Sequence, residues 1–250
     1  PERLGELRKL LDGHELKVGC LQTSLAKVQL PDAARRQAEQ AKLEGIIRAA
    51  DALDCRLARV FFYWQPRDES RGRLAELPGQ MDACLEMFAP LAKRAKEAGL
   101  TLAFENCGVM PEEVFAFLDK LGEPSWGLAW DVNNTWNCPA RQADEDGYIR
   151  AMAKRAKGLH VKAAGAVTGY ADHTIPYEKV LYVCAAAGVP GSVAVETHNP
   201  DPANFSDQEM SLQVVQVVRK AWPTAAPGGL GDAPKPRPAR PHQSWHDKPV

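Results

Sequence analysis

The sequence predicts an α/β fold: a parallel (β/α)8-type barrel that lacks its first strand and carries an extended Pro-rich C-terminal tail. Three observations predict it. Short apolar runs alternate with longer helix-period stretches, at about the 30-residue spacing of a βαβ unit. Six runs are clear strands and a seventh is weak, which suits a barrel better than an open sheet. Four of the six carry a metal-competent side chain near the C-terminal end, the rim where barrel active sites sit.

The elements follow in order. The chain opens in a helical pattern, PERLGELRKLLDGHEL. A parallel barrel places a strand before such a helix and none is present, so the expectation is a truncated chain or an incomplete wall. LKVGCLQTSL, Leu16–Leu25, is the first strand run. Pro31 and Asp32 then give a helix its entry signal. ARVFFYW, Ala58–Trp64, is the next strand, and the helix after it stops at Gly99. TLAFEN, Thr101–Asn106, precedes a helix that opens on Pro111 with two acids and closes on Gly122. GLAWDV, Gly127–Val132, and GLHVKA, Gly158–Ala163, are strands, with the weak run at His173–Pro176. YEKVLYVCAAAGVPG is helical, SVAVETH, Ser192–His198, is the last strand, and DQEMSLQVVQVVRKAW is the last helix. Residues 1–222 are expected to form the barrel. Residues 223–250, Pro- and Gly-rich with little to bury, read as a tail. His242 and His246 stand four apart there, but a Pro-flanked segment is a poor helix on which to build a metal pair.

Composition narrows the function. A hydrophobic share of 45% and a charged share of 25% are ordinary for a globular chain with a substantial core. A net charge of −1 favours neither nucleic acid nor an anionic membrane as partner. There is no apolar run long enough to span a membrane and no signal-peptide pattern. The six cysteines are scattered without a C-x-x-C pair, so they read as reduced thiols of a cytoplasmic protein.

The stretch GLAWDVNNTWN, Gly127–Asn137, ends a core strand on a lone carboxylate, Asp131. Glu105, His160 and Glu196 end their strands in the same way. Two residues before each ligand candidate stands a small residue: Ala103, Ala129, Gly158 and Ala194. The intervening positions, Phe104, Trp130, Leu159 and Val195, are large and apolar. With a period of two, each strand shows one face that is small and then polar, and another that packs on helices. Three carboxylates directed at one spot cannot all stay ionised without a cation. Oxygen-rich ligation with one imidazole suits Mn²⁺, Mg²⁺, Co²⁺ or Zn²⁺.

LAFEN, GLAWDVNN, LHVKA and VAVETH, in that order, resemble the xylose-isomerase-like TIM-barrel superfamily of sugar phosphate isomerases and epimerases. The resemblance covers about Glu2 to Trp222. It implies one divalent metal held by Glu105, Asp131, His160 and Glu196, with the two glutamates also serving as acid and base on opposite faces of the substrate. It departs from the family where members carry an acid and this chain has Ala163, and where members carry histidines and this chain has Asn134 and Cys107. These departures fall around the substrate rather than the metal.

The reaction expected is isomerisation or epimerisation of a keto sugar, or a related polyol or hydroxy-ketone. A proton alpha to a carbonyl is removed and a metal-stabilised enediolate forms. Lys162, His198, Asn133 and Asn134 are the expected substrate contacts, and Trp64 is a candidate platform for a sugar face. Loss of a β-oxygen from the same enolate would make the chain a lyase or dehydratase. A non-catalytic barrel subunit is a further reading, and an endonuclease-IV-type repair enzyme the most remote, given the acidic charge balance. The partner expected is a small-molecule sugar, with no nucleic acid and no membrane; a homo-oligomer stays open.

Overall fold

In the computed structural model, which describes residues 2–28, 33–64, 74–166, 175–189 and 193–222, strands and helices alternate as the apolar pattern predicts. The chain divides into two compact units, residues 1–129 and 130–250, and the division falls inside one strand.

In the first unit, helix α1 (Glu2–Gly13) precedes strand β1 (Leu21–Gln22). β1 is much shorter than the run Leu16–Leu25 suggested. Thr23 turns its hydroxyl onto the Arg59 carbonyl (2.7 Å), and the chain then follows residues 61–64 by isolated hydrogen bonds, Phe61 N to Leu25 O and Trp64 N to Val28 O. Helix α2 (Ala33–Leu53) buries Leu43, Ile46, Ile47, Ala50 and Leu53, the stripe its 3.6-residue period calls for. Strand β2 (Leu57–Val60) leads, past a single 3₁₀ turn at Leu74–Glu76, to helix α3 (Gln80–Glu97) and strand β3 (Thr101–Glu105). Gly99 follows α3 at φ +66°, the left-handed conformation expected of a stop. Helix α4 (Pro111–Leu121) keeps its sequence signals: Pro111 at its start, the Glu113 carboxylate accepting from Met110 N (2.7 Å), and Gly122 at φ +65°.

Strand β4 (Gly127–Asp131) carries the chain into the second unit. Two helices follow that the strand pattern did not predict, α5 (Pro139–Ala143) and α6 (Glu145–Arg155). Their signals are local: Pro139 in the first turn of α5, and Asp144 capping α6 by accepting from Gly147 N (2.9 Å). Strand β5 (Ala156–Lys162), helix α7 (Ala163–Ala166), helix α8 (Tyr177–Ala186), strand β6 (Val193–Glu196) and helix α9 (Asp207–Ala221) complete it. Ser206 and Glu209 form a reciprocal capping box at α9.

The six strands among the described residues follow one another in the sheet in chain order, β1 to β6. A complete barrel of this type has eight. The weak run at His173–Pro176 lies partly outside the described residues; Ile175 and Pro176 lead directly into α8 without strand pairing. The stretch after Trp222, with His242 and His246, lies wholly outside them.

Parallel register sets which side chains share a face. Arg59 pairs with Ala103, and Glu105 with Ala129. His160 pairs with Ala194, and Lys162 with Glu196. The small-then-polar positions therefore line up across neighbouring strands. The opposite face packs on helices. Phe104 of β3 meets Phe88 of α3 at 5.2 Å and Phe117 of α4 at 5.4 Å between ring centroids, and Phe62 stacks on Phe117 at 4.1 Å. In the second unit Trp130 of β4 sits edge-on to Tyr148 of α6, at 6.0 Å. Phe104 is the hub of its cluster, and replacing it leaves a void that the other rings cannot close. Phe104→Ala is expected to lower unfolding free energy by about 3–5 kcal/mol, measured by urea denaturation.

Candidate metal centre

Glu105, Asp131 and His160 are each buried, and each offers an atom of a kind that can ligate a metal ion. Glu105 ends β3 in the first unit, while Asp131, His160 and Glu196 belong to the second.

In the second unit the strand ends bring four charged or titratable groups together. Asp131 is fully buried, because β4 is apolar on both sides up to its last residue. The backbone N–H of Asn134 donates to its Oδ1 (3.1 Å), and Lys162 Nζ lies 2.7 Å from its Oδ2. Burial pushes the Asp131 carboxyl above its ordinary value, against the opposing pull of Lys162. Lys162 also donates to Asn134 Oδ1 (2.8 Å) and stands 3.6 Å from Glu196 Oε2. That last approach follows from the register that places Lys162 beside Glu196. His160 Nδ1 lies 3.5 Å from Glu196 Oε2, and His198 Nε2 lies 2.7 Å from Glu196 Oε1. These neighbours, His160 foremost and then His198, hold the Glu196 carboxyl well below the usual carboxylate range despite burial.

The donor set fits a divalent ion on two observations. Glu196 Oε2 is buried and accepts no hydrogen bond, an acceptor left over in a polar site. Asp131 and Glu196 together carry two negative charges, and Lys162 supplies one positive charge against them, so the cluster remains anionic. Oxygen and imidazole donors of this kind suit Mg²⁺, Mn²⁺, Co²⁺ or Zn²⁺.

The other expected site residues divide by unit. Asn133 and Asn134 follow Asp131 directly, and Asn133 Oδ1 is buried without a hydrogen bond. A Cβ on Gly165 would come within 2.6 Å of Ile175 Cδ1 and 3.0 Å of that Asn133 oxygen, so α7 approaches closely only because residue 165 is glycine. His198 is mostly exposed and takes a left-handed backbone, φ +36°, which turns its ring back onto Glu196. Trp64 lies in the first unit, half-buried, with its backbone N–H donating to Val28 O (3.1 Å).

Two residues escaped the sequence reading. Tyr177, taken only as a helix start, is buried, and its phenol is pushed up by burial and then by the Asp131 charge. Arg59 sits in an apolar strand run, 3.1 Å from Glu105 Oε2. Its signal was available: a lone arginine among Leu57, Ala58 and Val60 is out of place in a core strand unless something faces it.

Lys162→Met removes the cation from a fully buried carboxylate. Breaking one side of a buried pair is expected to cost about 3–5 kcal/mol, measured by urea denaturation of the metal-free protein.

A family model described as a xylose isomerase-like TIM barrel matches residues 1–221. No curated protein matches the chain significantly. Among solved structures, D-psicose 3-epimerase with D-tagatose from Clostridium cellulolyticum H10 is similar, with a TM-score of 0.66 and 16% identity over 87% of this chain and 82% of that one. A xylose isomerase-like TIM-barrel protein from Mycobacterium smegmatis in complex with magnesium aligns with a TM-score of 0.63 and 17% identity, over 88% and 79%. The 3-keto-D-glucoside 4-epimerase of E. coli aligns with a TM-score of 0.63 and 13% identity, over 86% and 84%. At these identities the likeness shows the fold.

Proposed function

Because the chain belongs to the xylose isomerase-like TIM-barrel family, we propose that it is a divalent-metal-dependent isomerase or epimerase of a keto sugar or related hydroxy-ketone. The observation that carries this reading is the anionic cluster of Asp131, His160 and Glu196 around Lys162, with its leftover acceptor on Glu196. Glu105, buried at the end of its own strand, is taken as the fourth ligand. The similar solved proteins support the substrate class, since two of them are epimerases of keto sugars. Six free cysteines support a cytoplasmic, reducing setting, and no helix among the described residues is long and apolar enough to cross a membrane.

When bound, a divalent ion supplies Lewis-acid polarisation of a substrate carbonyl and charge to balance an enediolate. The chain's own residues do the rest. Glu196, ionised at neutral pH, accepts the proton alpha to the carbonyl. A carboxylate held that low is a weak base, and its basicity rises as His160 and His198, and then Lys162, turn to other partners. Lys162 then donates to the developing oxyanion. Asn133 and Asn134 fix the hydroxyls through their amides, His198 moves protons at Glu196 Oε1, and Trp64 faces the apolar side of the sugar. Glu105 returns or removes a proton on the opposite face, which makes epimerisation available beside isomerisation.

The test is metal analysis of the purified protein, followed by deuterium exchange from D₂O into a panel of 2-keto and 3-keto sugars. Asp131→Asn is expected to lower metal content. Glu196→Gln is expected to keep part of the metal and to slow exchange by on the order of 10²–10⁴-fold. Full metal content in the first variant and undiminished exchange in the second would assign ligand and base elsewhere.

A further inference from the structure

Arg59 has no place in the reaction just described, and a largely enclosed arginine requires partners. Its guanidinium is held from several directions. Nε donates to Gln22 Oε1 (2.8 Å), Nη1 donates to Thr23 O (2.8 Å), and Nε lies 3.1 Å from Glu105 Oε2. The ring of Phe61 lies beneath it, 4.9 Å from the guanidinium carbon. The Arg59 side chain is 17% exposed and that of Glu105 is 5% exposed, so water screens the pair little. Register explains the convergence. Gln22 pairs with Arg59, Arg59 pairs with Ala103, and Glu105 stands two residues further along the same face of β3. Three neighbouring strands thus lay an amide, a cation and a carboxylate in one row.

We propose that Arg59 is a positioning residue: it fixes the plane of the Glu105 carboxylate for proton transfer, without touching the substrate. This rests on the isomerase reading above. The chemistry suits the role. A guanidinium stays charged at every relevant pH and presents a rigid planar fork, so it sets direction as well as charge. Thr23 O holds Nη1, while Gln22 Oε1 and Glu105 Oε2 both lie against Nε, so the planar group is fixed with that edge turned to the carboxylate. Lysine, a flexible point charge, keeps the charge and loses much of the direction.

The experiment uses the metal-loaded protein and a keto sugar that the wild type exchanges in D₂O. Arg59→Met is expected to lower kcat by about 10²-fold, the scale of a misaligned catalytic group, with KM within about threefold of wild type. Arg59→Lys is expected to restore kcat to within about tenfold of wild type. Should Arg59→Met fail to fold, Gln22→Leu, which loosens the arginine without removing its charge, is expected to lower kcat by about tenfold at unchanged KM. A raised KM with normal kcat would make Arg59 a substrate-binding group and overturn the proposal. Unaltered kcat and KM in a folded Arg59→Met would overturn it as well, while leaving the isomerase reading intact. Wild-type protein that exchanges deuterium with no sugar of the panel would overturn that reading and the role of Arg59 with it.

Discussion

Ending apolar strands on buried carboxylates is the constraint around which this protein is organised. A carboxylate taken out of water without a counter-charge costs several kcal/mol or gives up its charge. The chain answers in the same way in each unit. Arg59 stands on the strand beside Glu105, and Lys162 stands on the strand beside Glu196 with its ammonium on Asp131. These intrinsic cations make the acids tolerable, yet in the second unit one ammonium faces two carboxylates, and that imbalance favours a further cation.

Packing serves the same end. The small residues behind the strand-end carboxylates and His160 leave room on the polar face, and the large ones between them hold the helices. Phe104 and Trp130 each stand next to a strand-end carboxylate in sequence and anchor their strand against a helix by aromatic contact. A shift of that anchor would move the adjacent carboxylate with it, because consecutive residues of a strand are coupled through a stiff backbone. The polar strand ends are thus placed by the hydrophobic face that carries no chemistry.

Much of this was legible in the residues. Glu105, Asp131, His160 and Glu196 could be read because each ends an apolar run over a small residue, and that pattern repeats. The caps of α4 and the stop at Gly99 were legible for the same reason, since their chemistry is local. What escaped depends on pairing between distant segments. Nothing in ARVFFYW says that Arg59 meets Glu105, which is a matter of register between β2 and β3. Tyr177 reads as an ordinary helix start until α8 carries it to Asp131. Strand β1 is two residues long, and Thr23 beyond it sets both its backbone N–H (3.3 Å) and its hydroxyl (2.7 Å) on the Arg59 carbonyl, contacts that depend on the neighbour and not on the run itself.

The pairing of Lys162 with Glu196 also bears on how the strands find each other. β5 and β6 alternate small or polar residues with Leu or Val, so a shift of two residues would keep each apolar side chain on its own face. A slip of one residue would set Val195 beside Lys162 and turn Glu196 to the helix-packed side, stranding a charge on each face. The two ions therefore work as a key during assembly. They make one alignment of two otherwise interchangeable strands far cheaper than its neighbours, before any ligand or substrate arrives.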